Sequence, residues 1–305
     1  MIQMLQFILN TAHDEVVQIL ENIPGMTWKS KVHDAMKNKT DQPLNQVFKS
    51  KTSQNLLTTK EFTPVSSKKA PDYWDWVIMN PGCSDVVLDI GNCGSSSQVS
   101  VISTFSDFRC FQGKDVDRVE YSSQYMISCN GQPMCSSCNG GYCGTDVVWK
   151  FLIDTGTVTE QCVSYKSGTT GKIGKCPTQC DDGSSLQFVK AQEVTNICQK
   201  DLNSAAREET IKQALINGPV STVVYVYEDL YYYESGIYQH VYGYECGWSA
   251  CEFVGYGEEN GVKFWKVKNV WGREWGENGY FRILRGSPDI FGESEIEYEC
   301  YQAIV

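Results

Sequence analysis

Fourteen cysteines constrain this chain more than any other feature. All lie between Cys83 and Cys300, and the first 82 residues have none. Such density suits an oxidising compartment and a disulfide framework. Zinc is the other common use of clustered cysteine, and it needs close ligand pairs, usually with histidine. Cys135 and Cys138 form a C-x-x-C with no second one to follow, and His13, His33 and His240 supply no ligand pair. Disulfides are therefore expected, with no metal and no other cofactor.

The cysteine boundary coincides with a change in composition. Residues 13–23, HDEVVQILENI, carry Val16, Val17, Ile19, Leu20 and Ile23 at a helix-like spacing. Residues 37–70 are polar and rich in Lys, Thr and Ser, as in a linker or a loosely packed pro-segment. Asn38-Lys39-Thr40 is a glycosylation sequon, with meaning only in a secreted chain. The apolar run Met1–Leu9 lacks a basic start and a full A-x-A end, so residues 1–12 read as an incomplete signal peptide. The run is too short to span a bilayer. Because the cysteines need it, secretory entry is expected, with a lysosomal, vacuolar or extracellular destination. From Pro71 onward the chain is aromatic and cysteine-rich. A net charge of −11 without a long basic run excludes nucleic acid and anionic membrane as natural partners.

Within 71–305 helical patterns come first and strand patterns later. Ser96–Cys110 places Val99, Ile102 and Phe105 on one helix face, with Val101 and Phe108 beside it. Residues 144–155 and 205–216 read as two further helices, stopped by Gly156 and by Asn217-Gly218-Pro219. Val220–Tyr227, Gly261–Val270 and Gly279–Leu284 alternate, or are β-branched and aromatic, as strands are. The class is α+β, read as two lobes.

Several short stretches then fall in a telling order. They are MTWKSKVH (26–33), PDYWDW (71–76), GNCGSSS (91–97), SCNGGY (137–142), NVWGREWGENGYFRILRG (269–286) and GESEI (292–296). Together they resemble the papain family of cysteine peptidases, and within it the cathepsin B branch, over nearly the whole chain. The family's nucleophile loop reads Gln-Gly-x-Cys-Gly-Ser-Cys-Trp, its cleft carries Cys-Asn-Gly-Gly, and a later block carries Asn-Ser-Trp-Gly. The resemblance implies a helical lobe and a β-rich lobe meeting at a cleft, with a propeptide over 13–70 lying along it.

Peptidases of this kind use four groups. A thiolate attacks the carbonyl, a histidine pairs with it and shuttles the proton, an asparagine orients the histidine, and a glutamine donates to the oxyanion. Matched residue by residue, Ser96 stands at the nucleophile, Ser97 at the following tryptophan, Ile90 at the oxyanion glutamine and Ser249 at the histidine. Asn269 and Trp271 are retained. Three of the four roles are thus replaced, and Ser249 cannot act as a base for a hydroxyl at Ser96. General base catalysis supplies about 10²–10⁴-fold and one oxyanion donor about 10²–10³-fold. The changes at Ile90, Ser97 and Ser249 set this apart from a single engineered Cys→Ser replacement. His240, nine residues before Ser249, is the one nearby imidazole and is expected to be a hydrogen-bonded non-catalytic residue. Cys251 is expected to be a disulfide partner or a small buried residue.

The resemblance also implies retained binding equipment. Gly140 and Gly141 match positions that pair with substrate backbone, although a tight turn explains them equally. Glu295 matches the acidic residue of a cathepsin B specificity pocket, although a solvated glutamate reads the same. The His-bearing occluding loop of cathepsin B is missing or vestigial, because only 17 residues separate Cys162 from Cys180. The implied disulfides are Cys83–Cys110, Cys93–Cys138, Cys162–Cys180 and Cys129–Cys176, and the remaining six cysteines have no assignment. The leading expectation is a non-peptidase member that binds a peptide or protein in its cleft and keeps its propeptide unless another protease cuts near Lys68-Lys69. An active peptidase with an unusual centre and a secreted structural or adhesive protein are the rivals. Oligomeric state is not specified by any of these features.

Overall fold

The computed structural model describes residues 13–34, 57, 59–63, 69–132, 135, 137–139, 143–199 and 201–305. Residues 1–12, Asn38, Lys68, Gly140 and Gly141 lie outside these, so the signal segment, the sequon, the cleavage pair and the glycine pair are not described in full.

Two apolar cores organise the chain. One is built on Val101, Ile102, Phe105 and Phe108 of helix α2 (Ser96–Phe111), with Val147, Val148, Trp149 and Leu152 of helix α4 (Thr145–Asp154). Helix α3 (Ser123–Cys129) adds Met126 to it. The other is larger and aromatic, with Tyr233, Phe253, Tyr256, Trp265, Trp271 and Phe281. Val99 of α2 belongs to this second core, so one helix is shared by both. A helix apolar on more than one side must be buried on more than one side, and residues Ser96–Phe108 of α2 are all buried.

The second core sits on a ten-stranded sheet. Its strands are β1 (Trp28–Ser30), β2 (Lys60–Glu61), β3 (Trp74–Asp75), β4 (Glu193–Asn196), β5 (Val220–Tyr227), β6 (Tyr233–Tyr238), β7 (Glu245–Glu259), β8 (Val262–Lys268), β9 (Tyr280–Leu284) and β10 (Tyr301–Ile304). The order is β1-β6-β9-β8-β7-β5-β10-β4-β2, with β3 on β7. Helix α5 (Ser204–Asn217) is capped by Asn203, whose side chain accepts from Ala206 N, and it packs on β7 and β5. Strand β7 is buried from Cys246 to Gly257, and α2 lies against it. This helix–strand contact positions the candidate site.

The N-terminal segment joins the sheet. Residues 13–21 form helix α1, and β1 pairs antiparallel with β6. Trp28 is buried among Tyr233 and Tyr238, and its Nε1 donates to Gln239 O at 2.9 Å. His33 is buried with one ring nitrogen 2.8 Å from Tyr233 O and the other 3.1 Å from Glu274 O. His13 contacts the Tyr232 hydroxyl at 2.8 Å.

Six disulfides are formed. Cys83–Cys110, Cys93–Cys138, Cys129–Cys176 and Cys162–Cys180 are the four pairings that the resemblance implies. Cys135–Cys143 and Cys198–Cys300 are additional. Cys246 and Cys251 remain as buried thiols, so of the two readings of Cys251 the small buried residue holds.

Candidate functional site

The loop before α2 is set by backbone geometry. Gly91 has φ +56°, and a Cβ there would lie 2.6 Å from the Gly168 carbonyl oxygen, so a side chain is excluded twice over. Asn92 N donates to that same carbonyl at 2.7 Å. The Cys93–Cys138 disulfide and the bond from Gly94 N to Cys138 O (2.8 Å) fix the next turn. Tyr165 braces the loop from below. Its hydroxyl donates to Ile90 O at 2.9 Å and lies 2.8 Å from Ser95 Oγ. No spacing in the sequence signals this partner, which is 70 residues from Ser95.

Ser96 starts α2 and is 1% exposed. Its Oγ accepts from Ala250 N at 3.2 Å, across the contact with β7. That bond brings Ser249, the residue before Ala250, to the start of the helix. Ile90 N donates to Val270 O at 3.0 Å, and Asp89 bridges to Trp271, so the loop also holds the 269–271 segment. Ile90, Ser96, Ser249, Asn269 and Trp271 therefore gather in one place.

What these groups offer is a set of polar atoms with little to do. Ser249 Oγ, Asn269 Nδ2 and Trp271 Nε1 are all buried without a hydrogen-bond partner among the described residues. Asn269 Oδ1 accepts from its neighbour Val270 N at 2.8 Å. Trp271 stacks on Tyr231 at 5.2 Å, a neighbour that sequence spacing does not indicate. Ile90 is fully buried and apolar, so it brings no side-chain donor. Ser97 Oγ donates to Cys143 O at 2.5 Å, which ties the helix start to the segment before α4. No imidazole is present at this point, and the chain has only three histidines.

All three are engaged elsewhere. His13 and His33 belong to the N-terminal segment, where burial lowers the pKa of each. His240 Nδ1 lies 3.2 Å from Asp229 Oδ1, and its ring stacks on Tyr227 at 3.6 Å. Tyr227 is three residues along β5 from Val224, the partner of Ser249, which is about 10 Å of strand. The Cys251 thiol is fully buried, and burial raises its pKa well above the ordinary value. A neutral thiol with no base beside it is a poor nucleophile.

Glu295 lies on a turn that packs against β5. It ends the turn Glu293–Glu295 with φ +51° and is half-buried. Burial first, then Glu245, raises the Tyr225 phenol, and the charge of Glu295 adds to this there and at Tyr227. Among the described residues no group of three or more His, Cys, Asp or Glu could hold a metal ion, and no helix is long and apolar enough to cross a membrane.

Residues 70–304 match the family described as papain family cysteine protease. Cathepsin B-like CP3 of Giardia intestinalis is 44% identical over 233 residues, covering 76% of this chain and 75% of the relative. Cathepsin B-like CP2 of the same organism is 45% identical over 232 residues, covering 76% and 73%. Among solved structures, proCathepsin B S9 from Trypanosoma congolense aligns with a TM-score of 0.81 at 26% identity, over 96% of this chain and 97% of that one. The proform of the ragweed Amb a 11 cysteine protease, 24% identical, shares the fold with a TM-score of 0.78 over 99% of this chain and 87% of its own.

Proposed function

The chain belongs to the papain family of cysteine peptidases, and from that premise we propose that it is a cathepsin B-like member that does not cleave peptides. The observation that supports this reading is the surroundings of Ser96. Its hydroxyl accepts from Ala250 N, a serine occupies the base position beside it, and all three histidines are bound elsewhere. A hydroxyl is a much weaker acid than a thiol and needs a base within hydrogen-bond reach. With Ile90 in the loop, the oxyanion donor is absent as well.

The retained cleft then serves binding. The ligand is a peptide or a protein segment, received beside Gly140 and Gly141 and near Glu295. Residues 13–70 act as a propeptide that persists until another protease cuts near Lys68-Lys69, because self-processing is lost. The disulfide content fits passage through the secretory pathway, with Asn38 glycosylated on the way.

The test uses purified protein freed of its N-terminal segment. An epoxide probe of cysteine peptidases is expected to leave it unlabelled. Labelling that vanishes in Ser96→Ala would overturn the proposal. A peptide-library screen is expected to select sequences whose binding weakens when Gly141 is made bulky, whereas a screen that selects nothing favours the structural rival.

A further inference from the structure

Beneath the middle of α2 lies a cavity of about 60 Å³. The helix supplies Val99, Ile102 and Ser106 to its wall, and Arg118, Glu120, Ser123, Glu160 and Tyr165 supply its other polar groups. A single water needs only about 10–15 Å³ of such space, so there is room for something larger. Arg118 is the distinctive group. Its side chain is 3% exposed, its Nε donates to Asp107 Oδ1 at 2.7 Å, and its Nη1 is buried without a hydrogen-bond partner among the described residues.

We propose that this cavity binds a small monovalent anion, a halide or formate, held by the Arg118 guanidinium. A buried charge without compensation is costly, so the local balance decides the ligand. Arg118 shares the Asp107 carboxylate with Lys268, whose Nζ bonds both Asp107 and Glu252. Burial, with Asp107 nearby, pushes the Glu252 carboxyl up. Where Glu252 is neutral, Arg118 and Lys268 share Asp107 as their one fully buried carboxylate, and an anion at Nη1 restores the balance. In the cavity wall burial pushes Glu160 up to about 7, against the bond from Tyr165 N, with Glu120, Asp181 and Lys166 as its other charged neighbours. In mild acid it is neutral and does not repel the ligand. Glu120, also in the cavity wall, lies 3.8 Å from Nη1, but its side chain is 46% exposed, so its ion pair with Arg118 is weak. Val99, Ile102 and Leu88 close the cavity to anything bulky. Because Tyr165 lines the cavity and braces Ile90 and Ser95, occupancy stiffens the loop that carries Ser96. The inference stands independently of whether the protein cleaves peptides.

The test is a crystal of the full chain grown at acid pH in sodium bromide. An anomalous peak within hydrogen-bond distance of Arg118 Nη1 is expected, and a cavity holding only water would overturn the proposal. In solution, chloride, bromide and formate are expected to raise Tm at pH 5 saturably, while sulfate gives only the non-saturating rise of an excluded salt. The apparent affinity falls by up to about tenfold per pH unit above about 7, as Glu160 ionises. Arg118→Gln removes one of the two cations on the buried Asp107 and risks misfolding. Val99→Leu, which fills the cavity, keeps Arg118 and is expected to lose the halide effect. A halide effect of full size in Val99→Leu would place the ion elsewhere.

Discussion

The first turn of helix α2 and the turns that follow it face the sheet under different conditions. Beyond the first turn the polar side chains of α2 that reach across find partners, although Glu252 Oε1 on β7 is left without one among the described residues. Ser100 Oγ donates to Cys251 O at 2.8 Å, Ser103 Oγ donates to Glu252 Oε2 at 3.1 Å, and Asp107 holds both Arg118 and Lys268. At its first turn Ser96 has one bond to β7, while Ser249, Asn269 and Trp271 each present a buried atom with no partner among the described residues. Buried polar groups are normally paired, and exceptions collect where a site has a chemical purpose or once had one. Under the proposed reading, the difference teaches that the supporting architecture and the reacting groups answer to separate constraints. The disulfide, the glycine turn and the helix form here, while on that reading the reacting side chains are replaced.

The comparison can be broken first at its well-paired end. Lys268→Met removes the shared cation, which leaves Glu252 without its cation and Asp107 with Arg118 alone in the core, so unfolding free energy should fall by about 3–5 kcal/mol in urea titration. A loss under 1 kcal/mol would mean that the network does not hold the helix to the strand. A pH series probes the buried carboxyls next. Burial raises Glu160, Glu297 and Glu299 to about 7, and Glu252 to about 8. Folded-state pKa values above the unfolded ones give stability that is full below about 4.5 and is lost as pH rises through 7–8. His13 and His33, lowered by burial, act in the opposite sense below about 6.5, but they are two groups against four. Tm should therefore be higher by several degrees at pH 5 than at pH 8, and a Tm that climbs over that range would contradict the assignment. The smallest effects separate the two ends directly. Ser100→Ala should cost about 1 kcal/mol, because it leaves Cys251 O short of a donor. Ser249→Ala removes a hydroxyl that has no partner and should be neutral or stabilising by up to about 1 kcal/mol. Equal costs would show that the ends do not differ.

Much of this was legible in the sequence because local rules carry far. The expected strand Val220–Tyr227 is strand β5 as observed, and Ser96–Cys110 differs from α2 by one residue. Strand β7 was not anticipated, since CGWSACEFVGYG has neither clean alternation nor turn signals, and its burial on both faces removes the polar half of the pattern. The β1–β6 pairing was hidden because three residues carry no period. Cys198–Cys300 spans 102 residues, a closure that no local signal reveals. At the site, Ser96, Ser249, Asn269 and Ile90 are brought together by bonds between segments that only the fold makes adjacent. The resemblance supplied the list of positions. Tyr165, which braces the loop, and the unpartnered atoms around Ser249 depend on packing and could not be read in advance.

Turnover of a fluorogenic dipeptide substrate tests the central claim most directly, with the wild-type protein freed of its N-terminal segment and measured beside Ser96→Ala and the triple variant I90Q/S96C/S249H. The account predicts that wild type and Ser96→Ala are alike at background and that the triple variant rises above them, because the retained scaffold then regains its reacting groups. Turnover by the wild type that disappears in Ser96→Ala would contradict it.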